Sequence, residues 1–584
     1  MAGALGHRGP DDVGFYVNGP IGLAQTRLSI IDLVTGHQPL IDPSSGAALV
    51  ANGEVYNYLE LRPELEREGC RFSTGSDCEN ILHAYLRGGV GALPRLHGMF
   101  AFGLYDPGRA ELLLARDRLG IKPLYYARLP DRLLFASEIK SLLAVWPVEP
   151  EVEAPALLQY LQNQFNTGEG TIVRGIQRLP PGVALIVDRG LGVRRHRYWS
   201  ALDVRPRQLS YEEAREEFDP LFTRVVAEHL RADVPYGLFL SGGVDSAVLL
   251  ATVSRLRDAP VRSFSVGYRD ALMRDELDEA AGVARLFGAM HTPVIVDRDA
   301  AFRRLPHVVW ATDDLLRDYA CLPTSFLSQA AAAELKVVLT GEGGDEVFAG
   351  YGRYRPGWLE RSAKGLIAPG TGGFRTRGHW RRPWPRRVFG PDLQAVSAAR
   401  RAPFIAAWSS TPAGWSDLQR RQYTDLVTNL QDDLLVKADR ILMSFGLEGR
   451  VPFLDHRVVE FGLSLPDPLK VSSREGKLFL RQWAEQWLPK THLRRRKRGF
   501  HVPVGEWLRG EILERLEGAL PTQPVIRHWF RPQGVRALIQ AHRRGGRLSR
   551  EVWGLLQLAI WHRVFVDGKG VAPGVDEDPL DWLA

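Results

Sequence analysis

The sequence predicts an α+β layered domain followed by an α/β domain with a parallel, doubly wound sheet and a helical C-terminal part. Three observations carry this reading. Up to about Trp199, short alternating strands are separated by Gly, Pro and Asp turns. From Tyr211 onward, strands alternate with helical patterns, which argues for a parallel sheet. Beyond about Leu418 the pattern is mostly helical. A length of 584 residues supports more than one core. A polar stretch from Ser200 to Ser210 provides the linker, giving domains 1–200 and 211–584 around a linker at 201–210.

In the first domain, Leu112–Ala115 and Ala184–Val187 read as strands, while Cys78–Leu86 and Ala154–Gln164 read as helices. In the second, strands are expected at Gly237–Leu240, Arg262–Val266, His291–Val296 and Lys336–Leu339. Helices are expected at Tyr211–His229 and Asp275–Phe287. The composition, 45% hydrophobic and 24% charged, is that of a globular protein. No apolar run is long enough to cross a bilayer, and no secretory signal segment opens the chain, so no membrane partner is expected. Cys70, Cys78 and Cys321 form no metal-ligand spacing and leave an odd thiol, which fits a reducing cytoplasm. The net charge of +7 gathers in runs such as Arg375–Arg387 and Arg494–Arg498. The first is interrupted by Pro and Trp and reads as a solvated insertion, so no nucleic acid partner is expected.

Chemistry concentrates at Ser241-Gly242-Gly243-Val244-Asp245-Ser246, which joins an apolar strand to a helix. Two glycines let backbone N–H groups close around an anion, and the helix adds its N-terminal donors and dipole. Such a turn suits a pyrophosphate. Asp245 beside a phosphate calls for a cation between them, hence Mg2+. A second loop, Thr340-Gly341-Glu342-Gly343-Gly344-Asp345-Glu346, also leaves an apolar strand. The two loops are expected to face one another, with Asp245 and Asp345 sharing the metal ion and Glu342 positioning substrate or taking a proton. Lys477 is a candidate for neutralising charge on a departing pyrophosphate.

The first loop is not Gly-x-x-x-x-Gly-Lys-Ser/Thr; it resembles the PP-loop of ATP pyrophosphatases. Together with Leu339–Tyr351, Lys437–Asp455 and Lys497-Arg498-Gly499-Phe500, it is similar to the glutamine-dependent asparagine synthetase family, in the family's order and over nearly the whole chain. The resemblance implies that ATP and aspartate give β-aspartyl-AMP, which ammonia attacks. It implies that Ser241, Gly242, Gly243, Asp245 and Ser246 hold pyrophosphate, with Asp245 and Asp345 on magnesium. It implies that Phe239, Val266, Thr340 and Gly341 surround the adenosine, that Glu342 serves adenylate formation and that Lys477 stabilises the transition state. The partners implied are aspartate, ATP and glutamine or ammonia, with a homodimer as the expected assembly. An alternative is a related adenylating amide synthetase, β-lactam-forming or peptide-cyclising, acting on another acid.

The first domain is similar to the family's class II glutaminase, an αββα N-terminal-nucleophile domain, through His7–Asp12, Arg27–Asp32, Asn52–Asn57 and Gly75–Glu79. Arg27 suits the α-carboxylate of glutamine, Asp77 and Glu54 its α-ammonium, and Asn52 with the Gly53 N–H an oxyanion hole. The family's nucleophile is a cysteine directly after the initiator methionine, whose own α-amine acts as base. Here Met1 is followed by Ala2–Gly6 and then by His7. Either the recorded start lies downstream of the true one, or the domain is a degenerate glutaminase and the synthetase uses free ammonia or another amine. As written, the chain is expected not to hydrolyse glutamine. The first explanation also predicts an exposed apolar edge in this domain.

Overall fold

A computed structural model describes residues 1–268, 274–494, 502, 504–568 and 570–584. The motif Lys497–Phe500 and residues 495–498 of the second basic run lie outside the described residues.

The first domain is built on a six-stranded antiparallel sheet. Its order is Val193–Arg197, Val183–Val187, Glu111–Arg116, Gly98–Asp106, Ala48–Val55 and Leu40–Ile41. Successive side chains on a strand point to opposite faces, so apolar residues at every position demand cover on both. Leu49, Ala51, Phe100, Phe102 and Leu113 pack under the helices Tyr58–Arg67 and Glu79–Gly88 through Leu61, Leu65, Ile81 and Leu82. Ala48, Val50, Ala101, Leu112 and Leu114 meet Leu23, Leu124, Tyr126 and Leu179 of a second β-layer. That layer includes a three-stranded sheet, Leu133–Ala136, Tyr125–Arg128 and Ile176–Arg178, backed by the helices Ile139–Leu143 and Ala154–Asn163. The result is the expected αββα stack. The strand Asp12–Asn18 pairs only with Ile21–Arg27 and leaves Val13, Phe15 and Val17 at 49, 67 and 79% exposure. Val13, Phe15 and Val17 alternate along the strand and so form one exposed apolar face.

The second domain holds a five-stranded parallel sheet in the order Met290–Val296, Arg262–Tyr268, Tyr236–Phe239, Val337–Leu339 and Glu448–Arg450. The chain enters at the central strand, winds outward on one side, then returns to build the other. The reversal opens a crevice between the carboxyl ends of Tyr236–Phe239 and Val337–Leu339, where a doubly wound sheet binds its ligands. Helices Tyr211–His229 and Val244–Leu256 cover the sheet through Phe218, Phe222, Val248 and Leu249, closed by Trp483. Ser210 and Glu213 form a reciprocal capping box at the first of them, fixing where that helix starts.

Three features differ from expectation. The edge strand Glu448–Arg450 carries no apolar period that would have announced it, and the stretch Leu426–Leu434, where Leu426, Leu430 and Leu434 recur at helical spacing, takes a π-helical rather than an α-helical form. The segment Arg375–Arg387 is only partly solvated. Arg375 binds Asp425 at 2.6 Å and Asn429 at 2.8 Å, and Trp380 is buried, while Arg377, Arg381, Arg382, Arg386 and Arg387 are exposed.

Candidate active site

The two glycine-lined loops touch. A Cβ on Gly341 would lie 3.0 Å from the Asp245 Cβ and 3.1 Å from the Ser246 nitrogen, and one on Gly344 would strike the Asp245 carboxylate at 2.6 Å. Only glycine permits this approach. The first loop is internally braced: Ser246 Oγ accepts from the Ser241 N–H at 3.1 Å, and Ser241 Oγ accepts from the Gly243 N–H at 3.2 Å. The helix that follows starts at Val244 with no side-chain cap, so its first N–H groups remain available to an anion. Gly343, at φ +90°, turns the second loop where a side chain would collide with Leu454. The Thr340 N–H donates to the Arg450 carbonyl at 2.9 Å, tying this loop to the edge strand.

Lys477 lies between the loops. Its Nζ is 2.5 Å from Asp245 Oδ2 and 2.6 Å from Asp345 Oδ1, with the side chain only 5% exposed. Burial opposes its charge, but the two carboxylates more than offset that and raise its pKa. Lys477 is held at φ +56°, a strained conformation for a side-chain-bearing residue, at the entry to the helix Leu478–Ala484. The Asp245–Asp345 pair supplies hard oxygen donors converging on the Lys477 ammonium, a donor set that would suit Mg2+. Phe239, Val266, Thr340 and Gly341 lie at the carboxyl ends of the three adjacent strands Arg262–Tyr268, Tyr236–Phe239 and Val337–Leu339. The Thr340 Oγ1 is buried with no hydrogen-bond partner among the described residues. Glu342 sits on the rim, 3.5 Å from Lys437 Nζ.

Sequence reading missed three neighbours of this site. Glu279 lies over the first loop, where its Oε2 would meet a Cβ on Gly242 at 2.7 Å. His492 reaches the Gly243 backbone, and burial lowers its pKa. Arg481 lies one turn beyond Lys477 and feels both carboxylates. Of these, only the four-residue spacing from Lys477 was a signal in the sequence.

In the first domain, Arg27, Asn52, Gly53, Glu54 and Asp77 line one cavity of about 370 Å³. Arg27 spends part of its guanidinium on the carbonyls of Ile31 and Asp32, at 3.0 and 2.7 Å. The Asn52 side-chain amide nitrogen is buried without a partner among the described residues. Gly53, at φ +133°, abuts the Met99 carbonyl. Glu54 gives one oxygen to Arg450 at 3.1 Å, yet burial pushes its carboxyl well above the usual range. Burial likewise raises Asp77 to about 6. Cys78 lines the same cavity, but burial beside Asp77 and Glu54 drives its thiol well up, the reverse of what a nucleophile needs.

Comparison with known proteins agrees with this geometry. The asparagine synthase family model matches residues 217–563, and a glutamine amidotransferase domain model matches residues 1–199. An asparagine synthetase (glutamine-hydrolyzing) of Bacillus subtilis is 31% identical, covering 99% of this chain and 95% of its own. A putative asparagine synthetase (glutamine-hydrolyzing) of Mycobacterium tuberculosis is 35% identical, covering 98% of this chain and 94% of its own. An amidase of Gibberella zeae is 30% identical over 80% of this chain and 78% of its own. Two glycine-lined loops over a parallel sheet, joined to an αββα domain and matched along nearly the whole length, place this chain in the glutamine-hydrolysing asparagine synthetase family.

Proposed function

We propose that this protein is an ATP-dependent amide-forming ligase that converts aspartate to β-aspartyl-AMP and then to asparagine, releasing AMP and pyrophosphate. The observation that carries the proposal is Lys477 held between Asp245 and Asp345, where the two loops meet. In the first step an aspartate β-carboxylate oxygen attacks the α-phosphorus and pyrophosphate leaves. Ser241, Gly242, Gly243 and Ser246 would hold the leaving group through backbone donors and hydroxyls, and Lys477 would offset the charge gathering on it. Phe239, Val266, Thr340 and Gly341 would bound the adenosine, with Thr340 Oγ1 free to hydrogen-bond it. Asp245 and Asp345 would hold Mg2+, which supplies charge neutralisation to the phosphates when bound. In the second step ammonia attacks the acyl carbon and AMP leaves, with Glu342 at the rim to orient the acid and accept a proton.

Arg27, Asn52, Gly53, Glu54 and Asp77 would bind glutamine in the first domain. The relatives named above are glutamine-hydrolyzing enzymes; here glutamine or free ammonia would supply the nitrogen. Its partners are then small molecules; we place the enzyme in the cytoplasm, as a homodimer.

The test is product analysis of purified protein with ATP, Mg2+, aspartate and ammonium. AMP, pyrophosphate and asparagine should appear in equal amounts. ADP as the product, or AMP release that ignores aspartate, would overturn the proposal. Release of pyrophosphate with a different acid from a panel would favour the related amide-synthetase reading.

A further inference from the structure

A second charged cluster stands beside the adenylation site. Lys437 Nζ lies 3.2 Å from Asp318 Oδ2 and 3.5 Å from Glu342 Oε1. Asp433 lies one turn before Lys437 on the continuous helix that runs from the π-helical stretch Leu426–Leu434 into Leu435–Met443. Its carboxyl lies within electrostatic reach of Asp318, Lys437 and Glu342. Asp433 is only 4% exposed, and its Oδ1 has no hydrogen-bond partner among the described residues. Three segments therefore bring three carboxylates to one ammonium. Arg375 is also near Asp433, but its guanidinium is engaged by Asp425 and Asn429.

A buried carboxylate lacking a hydrogen bond is costly to keep unless a ligand satisfies it. The cluster holds more carboxylates than cations, and its one lysine can trade carboxylate partners. Glu342 connects it to the loop that carries Asp345, so whatever fills it lies next to the acid being adenylated. An α-amino acid has the matching charges: an ammonium for the carboxylates and a carboxylate for the lysine. Burial, reinforced by Asp318, pushes the Asp433 carboxyl well up, as expected of a group awaiting a cation.

Resting on the aspartate reading above, we infer that Asp433 and Asp318 clamp the substrate's α-ammonium while Lys437 holds its α-carboxylate, making this cluster the specificity subsite for the amino-acid end. Asp433 thereby selects against acids that lack the amine, and Lys437 against those that lack the second carboxylate.

The test compares aspartate with succinate, which lacks the amine, and with β-alanine, which lacks the α-carboxylate, in a pyrophosphate-release assay. The native enzyme should prefer aspartate over either by more than about tenfold in kcat/KM. Asp433→Asn should raise KM for aspartate by about 10- to 100-fold, the worth of a hydrogen bond to a charged group, with a smaller change in kcat. It should also collapse the preference over succinate while leaving the preference over β-alanine. Lys437→Met should do the converse. Native enzyme that turns over succinate as well as aspartate, or an Asp433→Asn enzyme with unchanged KM and unchanged preference, overturns the inference. Native enzyme inert with aspartate refutes the underlying function, and the inference with it. Should Asp433→Asn fail to fold, the native enzyme's preference and the Asp318→Asn variant decide the matter.

Discussion

Replacing Lys477 with Met isolates the charge at the centre of the site. Met keeps most of the stem's volume, so no large cavity term enters. What is lost is an ammonium 2.5 and 2.6 Å from two carboxylates in a side chain 5% exposed. At an effective dielectric of about 20, unit charges about 4 Å apart attract by about 4 kcal/mol. Desolvating the ammonium cancels much of that, and removing one partner of a buried ion pair costs about 3–5 kcal/mol. The melting temperature in metal-free buffer should therefore fall by several degrees. Mg2+ should restore part of the loss, because the two carboxylates then share a different cation. For the chemistry, losing one preorganised charge against a developing anion costs about 10²- to 10³-fold. Aspartate-dependent exchange of labelled pyrophosphate into ATP reads that step without the ammonia reaction. Exchange within tenfold of the native rate in a folded variant would refute Lys477 as the leaving-group cation, and melting indifferent to the substitution would refute the electrostatic account of the site.

Gly350→Ala offers a steric counterpart. Its Cβ would lie 1.9 Å from Asp345 Oδ1 and 2.3 Å from Lys477 Cε, so overpacking should cost about 1–3 kcal/mol and pyrophosphate exchange should be largely lost; full activity would show that the loop yields freely. Acidification should loosen the contact between the domains. Burial holds His97 and His229 near pKa 4 and His456 well below its usual value. His97 meets His456 edge to face and Tyr56 lies tilted against His229, each pair crossing from one domain to the other. A depressed histidine pKa means the unfolded chain binds protons first, so stability present above about pH 6.5 is lost as pH falls toward 4. His229 alone should contribute about 3 kcal/mol of that loss. Melting curves of His229→Asn and His456→Asn should show a shallower acid decline than the native protein, and parallel curves would exclude these histidines as the cause.

What the sequence made legible follows from where signals are local. The four strands first expected for the parallel sheet are present with ends shifted by no more than two residues, and the helix Tyr211–His229 stands as read, because apolar period is a local pattern. Ser241–Ser246 and Thr340–Glu346 were legible because close backbone approach requires glycine at fixed places. The strand Glu448–Arg450 was not, since three residues with two charges and a glycine carry no period. Its placement depends on partners far away in the chain: Glu448 on Lys122 at 3.1 Å and Arg450 on Glu54. Asp433 was invisible for the same reason, its meaning arising only where Asp318 and Glu342 converge.

Those distant pairs also explain how two domains hold one register. Arg8 binds Glu138 and Asp439, each at 2.8 Å, Arg440 reaches the same Glu138 at 2.8 Å, and Lys122, Glu448, Arg450 and Glu54 continue the chain of charges inward. Buried ion pairs are weak contributors to net stability, since desolvation consumes most of their attraction. They are strong discriminators, however, because a shift of one domain by a few ångströms would leave several buried charges without partners at once. An apolar interface of equal area would tolerate such sliding. Arg450 shows what the fixed register achieves: its guanidinium meets Glu54 on the wall of the first domain's cavity while its carbonyl anchors Thr340 at the second glycine-lined loop. A single residue thus spans the two sites, and the charges around it hold that span at constant length.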